Sequence, residues 1–370
     1  MQLGYSDQER AFQGEVLAFL EDWRGLDQYL HGEDFDRLRA FYQALGARNW
    51  LSLGWPIEDG GQGLPPIFEF LLWDEMAYAR VARPPLSAGI VAKTIIRFGT
   101  RAQKARWLEP IRTGQLMFSL GYSEPGAGSD LAGLRTRAEL RDGKYIVNGS
   151  KIWSSAAQEA DYLWLLCRTG EVNSRAAGLS LLIVDLKSPN LRIRPMAKMS
   201  GNIFCEIFFD DVEVPEDQRI GPENGAWKMM NASLADERHV QFPPKRVLAD
   251  YESVRDWALT QGLDRDPVVR EKLAELAVGV LECQAHAFRV LTANHDPVLA
   301  SVAAAANKRA CTDAIQAIAR AAMDFGAPMA LTQDAPTHLL WRQTTEESLG
   351  GGTTEIMTSI VARAGLGLKA

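Results

Sequence analysis

Several features that would indicate a metal or disulfide protein are scarce in this sequence. Its 370 residues contain four cysteines, Cys167, Cys205, Cys283 and Cys311, and none of them has CxxC or histidine spacing. This argues against a zinc site and against a disulfide framework. We therefore expect no metal ion and interpret each cysteine as a buried apolar residue.

Blocks of one charge and long apolar runs are also missing. The net charge of −7 is spread along the chain, so nothing indicates binding to nucleic acid or to an anionic membrane surface. No basic N-terminal segment with an apolar core is present, and no apolar run approaches the ~20 residues that a bilayer span needs. We expect a cytoplasmic protein that binds small molecules, with neither nucleic acid nor membrane as a partner.

The first hundred or so residues have helical periodicity. Ser6 and Glu9 have the spacing of a capping box, and an apolar stripe from Phe12 to Leu20 follows them. Three more helices are predicted in this part, at residues 35–45, 67–78 and 100–111. Residues 1–114 should therefore form an N-terminal α-helical bundle.

The pattern changes at about residue 116. Apolar and β-branched runs at 162–166, 179–184 and 205–209 alternate with polar loops, and Asp142-Gly143 and Asn148-Gly149 are turn signals on either side of a short strand. This predicts a β-barrel or sandwich over residues 115–218. Long helices return at 226–251, 268–291, 298–325 and 354–366. They predict a C-terminal helical bundle over residues 219–370, with an apolar face wide enough to pack against a partner chain as well.

One loop has the composition of a binding site. Ser123-Glu124-Pro125-Gly126-Ala127-Gly128-Ser129 is too rich in proline and glycine for a regular element, which leaves backbone N–H groups and small hydroxyls free to meet a ligand. A dinucleotide-binding fold is excluded, because the third glycine and the strand-then-helix context are missing. The sequence predicts a binding loop that lies on a sheet.

This loop and the strand after it resemble the flavin-dependent acyl-CoA dehydrogenase family. The matching segments are SEPGAGSDLAGLRTRA, YIVNGSKIWSSAAQEADYLWLLCRT, GLSLLIVDLKSPNLRIRPM, FFDDVEVP and GGGTTEIMTSIVARAGLGL. They occur in the family's order and extend over nearly the whole chain. The resemblance implies an acyl-CoA dehydrogenase fold, with helical, β and four-helix-bundle domains in that order.

The resemblance also implies oxidation of a CoA thioester to its α,β-enoyl form. This reaction needs a base for the α-proton and a hydride acceptor, which no side chain can be, so FAD is the expected cofactor. By position, seven residues are expected to contact FAD: Tyr122, Ser123, Ser129, Trp153, Ser155, Thr353 and Glu355. Ser155 matches the residue whose hydroxyl bonds the flavin N5 edge, whereas Thr353 and Glu355 would lie near the adenine, where the start of the last helix would favour anionic groups. By residue type alone, Trp153 has the alternative of being an ordinary core tryptophan.

The base is where the sequence departs from the commonest family pattern. Many members carry it as the glutamate of a Tyr-Glu-Gly-Thr turn, which here reads Gly350-Gly351-Gly352-Thr353. Other members place a glutamate before an arginine on a helix of the C-terminal domain, and Glu237-Arg238 matches that pattern. Glu237 is the candidate base and Arg238 its supporting residue. The alternative is that Glu237 only forms an ion pair on a helix surface.

Two further departures concern assembly. The family's Arg-x-x-Phe-Gly segment, which reaches a neighbour's flavin, is replaced by Leu259 to Arg265, and its Gln-x-x-Gly-Gly segment by residues 323–328. This combination resembles actinobacterial relatives that act on sterol-derived CoA thioesters as heterotetramers. We therefore expect an acyl-CoA substrate, an electron-transfer flavoprotein or similar acceptor, and a homo- or heterotetramer, with α2β2 favoured. The alternative function is a non-catalytic partner subunit of such a heterotetramer.

Overall fold

The computed structural model describes residues 4–26, 34–236, 240, 242–293, 296–326 and 336–368. Its N-terminal part contains helices α1 (Asp7–Glu21), α2 (Phe35–Ala47), α3 (Pro66–Tyr78), α4 (Ala92–Phe98) and α5 (Arg101–Arg112). The capping box is confirmed, because the Ser6 hydroxyl accepts from the Glu9 N–H and the Glu9 carboxylate accepts from the Ser6 N–H. The predicted helical domain is confirmed, and α4 is an addition to it.

The middle part is one sheet of eight strands. The strands are β1 (Phe118–Gly121), β2 (Arg137–Arg141), β3 (Lys144–Ser155), β4 (Tyr162–Arg168), β5 (Leu179–Asp185), β6 (Leu191–Ala197), β7 (Ile203–Pro215) and β8 (Arg219–Ile220). Their order is β6-β7-β3-β2-β4-β5-β8, and β1 pairs in parallel with β4. The predicted β-domain is confirmed.

The Asp142-Gly143 turn joins β2 to β3 as predicted, but the second turn prediction was wrong. Asn148-Gly149 lies inside β3, where the register with β7 shifts by a bulge. Gly149 has φ +139°, and a Cβ there would lie 2.8 Å from the Thr136 Cα, so both the conformation and the space require glycine. The Asn148 amide bonds Asp211 on the neighbouring strand, which allows β3 to continue to Ser155.

Strands β4 and β5 are buried on both faces. Leu163 and Leu165 point into the core of the β-domain, whereas Trp164 and Leu166 pack into the core of the N-terminal helices. This explains why their sequences are continuous apolar runs and do not alternate with polar residues. The sheet is thereby fixed against the helical domain, with β1 and its following loop beside it.

The C-terminal part is helical: α6 (Ala226–Asp236), α7 (Pro244–Thr260), α8 (Pro267–Thr292), α9 (Pro297–Gly326), α10 (Pro336–Thr344) and α11 (Thr354–Ile360). The single helix predicted over 226–251 was wrong, since α6 and α7 are separate. Pro243 and Pro244 explain the break, because proline lacks the N–H that a continuing helix needs and disfavours helical backbone in the residue before it. Within the described ranges, no helix combines the length and apolar character that a bilayer span requires.

Buried charged contacts join α7 to the N-terminal helices. Arg80 lies 2.6 Å from the carboxylate of Asp250, and Tyr78 donates to Glu252 at the same distance. Asp74 on α3 accepts from the backbone N–H of Lys245 at 2.9 Å. The interface between the N-terminal and C-terminal helical parts therefore contains polar contacts, of which those of Asp74 and Asp250 are buried.

Candidate active site

The loop between β1 and β2 is held by backbone contacts. Glu124 and Ala127 each donate a backbone N–H to the other's carbonyl at 3.0 Å, which closes a tight bridge. The Ile152 N–H donates to the Ser123 carbonyl at 2.9 Å and so ties the loop to β3. These contacts bring Ser123 and Tyr122 next to the part of β3 that carries Trp153 and Ser155, as the sequence predicted.

A buried ion pair between β3 and the loop also holds the loop in place. Lys151 Nζ lies 2.9 Å from Glu124 Oε1 and 3.0 Å from the Tyr122 carbonyl. The Glu124 carboxylate also accepts from the backbone N–H groups of Arg135 and Thr136. Burial raises the pKa of Glu124, but Lys151 and these hydrogen bonds outweigh it and lower the pKa below its usual range. The loop therefore closes around a carboxylate that stays ionised.

Sequence reasoning missed Lys151 and Glu124 as functional residues. Lys151 is fully buried, and that burial lowers its pKa. A signal was present in the sequence: Glu124 is the acidic residue inside the glycine-rich loop, and Lys151 is a cation in the motif that follows it. A buried lysine needs a charged or hydrogen-bonding partner, and the loop supplies both.

Trp153 lies on β3 but outside any core. Its side chain is 57% exposed and its φ is +63°. Its ring packs edge-on with the Phe204 ring, and the two ring centroids are 5.8 Å apart. The interpretation of Trp153 as an ordinary core tryptophan is therefore wrong. The next residue, Ser154, points inward and donates to the Leu120 carbonyl, whereas Ser155 is exposed like Trp153. The strand thus presents an aromatic ring and a hydroxyl on one open face.

The residues around this face fit a flavin ring system. In the described part of the chain, the hydroxyls of Ser123, Ser129 and Ser155 form no hydrogen bond with another protein group. A Cβ on Gly126 or Gly128 would meet nothing within 4 Å, so packing within this chain does not require these glycines. The exposed Trp153 ring shares its strand face with Ser155 and lies next to the loop-strand contact of Ser123, an arrangement that suits a planar ligand with polar edges, as FAD is.

Thr353 and Glu355 lie on a different element, at the start of α11. The Thr353 hydroxyl accepts from the Ile356 N–H at 3.2 Å and caps the helix. Hydrogen bonds from its own backbone N–H and from Thr353 lower the pKa of the Glu355 carboxylate. Among the described residues, neither side chain bonds to the loop before β2. The first N–H groups of α11 are thus capped by the chain itself, and a role of these two residues next to adenine stays a prediction.

The glycine turn before α11 is held from α9. Lys308, which is buried, donates to the Gly352 carbonyl at 2.6 Å and to the Glu347 carbonyl at 2.9 Å. The Glu347 carboxylate is paired with Arg246 at 2.7 Å. Burial raises the pKa of Glu347, but Arg246 and Arg83 outweigh burial and lower it to about 2. No local pattern in the sequence indicates these contacts, since they join separate helices.

Glu237 and Arg238 lie outside the described residues. Helix α6 ends at Asp236, immediately before them, and Val240 just after them is buried. Their assignment as base and supporting residue stays a prediction.

Three family models match successive parts of the chain. They are described as the N-terminal, middle and C-terminal domains of acyl-CoA dehydrogenase, at residues 6–115, 119–212 and 231–366. The acyl-CoA dehydrogenase FadE26 of Mycobacterium tuberculosis is 34% identical, over 88% of this chain and 86% of its own length. The chain belongs to the acyl-CoA dehydrogenase family. FadE29 of the same organism is 33% identical over 99% of this chain and 98% of its own length.

Solved structures of this family share the fold along the whole chain. A steroid ACAD, Tcur3481-Tcur3483, superposes with a TM-score of 0.91 at 29% identity and covers 100% of both chains. The ChsE4-ChsE5 complex from Mycobacterium tuberculosis gives a TM-score of 0.90 at 30% identity, again over 100% of both chains. As an acyl-CoA dehydrogenase, the protein is an oxidoreductase of an FAD-dependent family that dehydrogenates CoA thioesters. The expected helical, β and helical domain order is confirmed.

Proposed function

We propose that the chain is a catalytic subunit that binds FAD non-covalently and dehydrogenates a bulky, steroid-derived CoA thioester. The observation that carries this proposal is the exposed Trp153 ring beside the hydroxyls of Ser123 and Ser155. FAD, when bound, supplies the hydride acceptor for the substrate's β-carbon, which no side chain can be. The proposed contacts on this chain are Tyr122, Ser123, Ser129, Trp153 and Ser155, with Thr353 and Glu355 towards the adenine end.

Each side chain has a separate task in this proposal. Trp153 offers an aromatic face, while Ser129 and Ser155 offer hydroxyls that can donate to a ring edge. Tyr122 is held in place because its hydroxyl accepts from the Trp164 indole N–H at 3.2 Å. The Lys151–Glu124 pair fixes the backbone that carries them, so the loop is shaped before a ligand arrives.

Glu237 is the proposed α-proton base, and Arg238 supports its site. The other carboxylates around the glycine turn are already engaged. Glu346 pairs with Lys198 at 2.8 Å and Glu347 with Arg246 at 2.7 Å, while Glu355 accepts from its own backbone N–H and from Thr353. Gly351, which takes the position of the glutamate in many members, has no side chain. Burial beside an acyl chain would raise the pKa of a glutamate at 237 towards the working pH, whereas a close Arg238 would oppose that rise.

A bulky acyl group is supported by two observations. Glycines 350–352 present no side chains where other members carry them, and Gly350 and Gly351 are exposed. The structural relative Tcur3481-Tcur3483 is described as a steroid ACAD. Both favour a branched or polycyclic acyl group over a short linear one.

A heterotetramer is the proposed assembly, with an electron-transfer flavoprotein or a similar protein as electron acceptor. The turn after α7, where other members carry Arg-x-x-Phe-Gly, reads Leu259 to Arg265 in this chain. Val278 and Leu281 are exposed on α8, and Val298 and Leu299 are exposed on α9, which suits cover by another chain. ChsE4-ChsE5 is a complex of two proteins, as its name states. The missing Arg-x-x-Phe-Gly segment also favours a second candidate function, that of a non-catalytic partner subunit.

Purification separates these two candidates. The chain is produced with excess riboflavin, alone and together with candidate partner chains, and its flavin absorbance is recorded. A catalytic subunit is expected to carry flavin in at least one preparation and to become reduced by polycyclic CoA thioesters. Absence of flavin from every preparation would contradict FAD binding, and a sharp rate optimum at short linear thioesters would contradict the proposed substrate class.

A further inference from the structure

Phe242 occupies the break between α6 and α7. It directly precedes Pro243, and α7 begins at Pro244, so the backbone at Phe242 is not part of either helix. Its carbonyl accepts from the Asn307 amide at 3.3 Å and from the Cys311 thiol at 3.8 Å. Because both donors lie on α9, the position of Phe242 is set by the core of the C-terminal bundle.

The ring of Phe242 points at the glycine turn. A Cβ on Gly351 would lie 3.6 Å from the Phe242 Cζ, which is an ordinary van der Waals contact. Phe242 is only partly buried and Gly351 is exposed, so the ring edge lies beside a face of the turn that is open. The space next to Gly351 is therefore bounded by an aromatic ring from another part of the chain.

The space next to the third glycine of the turn is also occupied by a side chain from elsewhere. A Cβ on Gly352 would lie 2.4 Å from the Cε of Met357, and Gly352 has φ +96°. The volume that the three glycines leave is thus smaller than the sequence implies. The space that remains open lies next to Gly350 and Gly351, and the Phe242 ring forms its boundary.

Two adjacent residues of α9 hold the backbone of Phe242 and the backbone of the glycine turn. Asn307 holds the Phe242 carbonyl, and Lys308 holds the carbonyls of Glu347 and Gly352. The backbone of Phe242 and the backbone of the turn are consequently both held by α9. A wall fixed in this way can discriminate between substrates by size.

We propose that Phe242 is a specificity-determining residue, whose ring forms the wall of the acyl site at the glycine turn and limits the size of the acyl group. This inference rests on the proposed function, since it assumes that the acyl group lies at this turn. A flat hydrocarbon ring system is the substrate class that such a wall suits, because it can pack against the aromatic edge without a polar partner.

The test uses the full chain together with its partner chain where flavin binding requires one. Phe242→Ala widens the site, Phe242→Leu widens it less, and Phe242→Trp narrows it. Phe325→Ala is the matched control, because Phe325 is also partly buried and packs on the same bundle core. Two quantities are measured for a linear and a polycyclic CoA thioester: kcat/KM by flavin reduction, and substrate affinity by calorimetry.

We expect the polycyclic-to-linear ratio of kcat/KM to rise by about tenfold or more in Phe242→Ala and to fall in Phe242→Trp. The affinity ratio should move in the same direction, while Phe325→Ala leaves both ratios at the wild-type value. Ratios that stay within about twofold of wild type in the folded Phe242 variants would overturn this inference and leave the proposed function intact. A wild-type protein that no CoA thioester reduces would remove the proposed function, and this inference with it.

Discussion

Lys151 Nζ lies 2.9 Å from Glu124 Oε1, and both side chains are almost completely excluded from solvent. The pair joins residues 27 positions apart, one inside a strand and the other inside the glycine-rich loop. A buried ion pair of this kind is weak evidence for net stability, but removal of one partner leaves an uncompensated charge. The main role of this pair is therefore to specify the conformation of the loop.

Lys151→Met is expected to destabilise the fold by about 3–5 kcal/mol, because it leaves the Glu124 carboxylate buried without its cation. Flavin content should fall as well, since the loop loses its anchor. Denaturant unfolding and flavin absorbance measure the two effects. Lys144→Met is the control: Lys144 pairs with Glu213 on the surface, and such pairs contribute about 0–1 kcal/mol. Equal losses in the two variants would argue against the assigned role.

Gly128→Ala separates flavin binding from folding. A Cβ at Gly128 meets nothing within 4 Å, so the stability of the flavin-free protein should change by no more than about 0.5 kcal/mol. Affinity for FAD should fall by about tenfold or more if the cofactor lies against the loop, because the added methyl group must be accommodated. Calorimetry and flavin titration give the two values. Gly14→Ala on α1, equally open, should leave FAD affinity unchanged.

Glu237→Gln retains the shape of the side chain and removes the base. It should still bind flavin and substrate, while flavin reduction slows by about 10²–10⁴-fold, the contribution of a positioned general base. Stopped-flow absorbance with the preferred CoA thioester measures the rate. Glu346→Gln, next to the glycine turn, should react within a few-fold of wild type. If Glu237→Gln is equally fast, the base lies elsewhere and the partner-subunit function gains support.

Asp74 should make stability depend on pH. Burial raises its pKa from 3.8 to about 7, although the Lys245 N–H and ammonium oppose the rise; Glu75 and Tyr5 also face it. The folded state therefore binds a proton that the unfolded state loses above about pH 4, and the stability contributed by that proton is lost as pH rises to 7. Asp74→Asn removes this loss. The melting temperature of this variant should exceed that of wild type by an amount that grows between about pH 4 and 7 and levels off above pH 7. A difference that stays constant over this range would contradict the assignment.

Local signals in the sequence were sufficient for most of the fold. The Ser6–Glu9 capping box, the Asp142-Gly143 turn and the glycine-rich loop each depend on a few adjacent residues, and each is found as predicted. Asn148-Gly149 was assigned wrongly because a turn and a bulge both use a permissive glycine. The contact that favours the bulge is the hydrogen bond from Asn148 to Asp211, which lies on a strand more than 60 residues away in sequence.

Motif positions were sufficient to nominate Trp153 and the loop serines, whose contact with FAD stays a prediction. The Lys151–Glu124 pair and the Phe242–Gly351 contact join distant segments and were not predicted. Local patterns do not encode which of many charged or aromatic residues will meet across elements. The double proline at 243 and 244 is a local signal for a helix break, and here it overrides the apolar periodicity on either side of it.

The buried contacts between α7 and the N-terminal helices have a consequence for how the protein loses its structure. If one helical part opened alone, Asp250 would lose its contact with Arg80 and Asp74 would lose the Lys245 N–H. Opening should therefore occur in both parts at once, and amide protons of α3 and α7 should exchange with solvent at similar free energies. A cut between the β-domain and α6 would place Arg80 and Asp250 on two separate fragments, and neither fragment should persist as an independent folding unit.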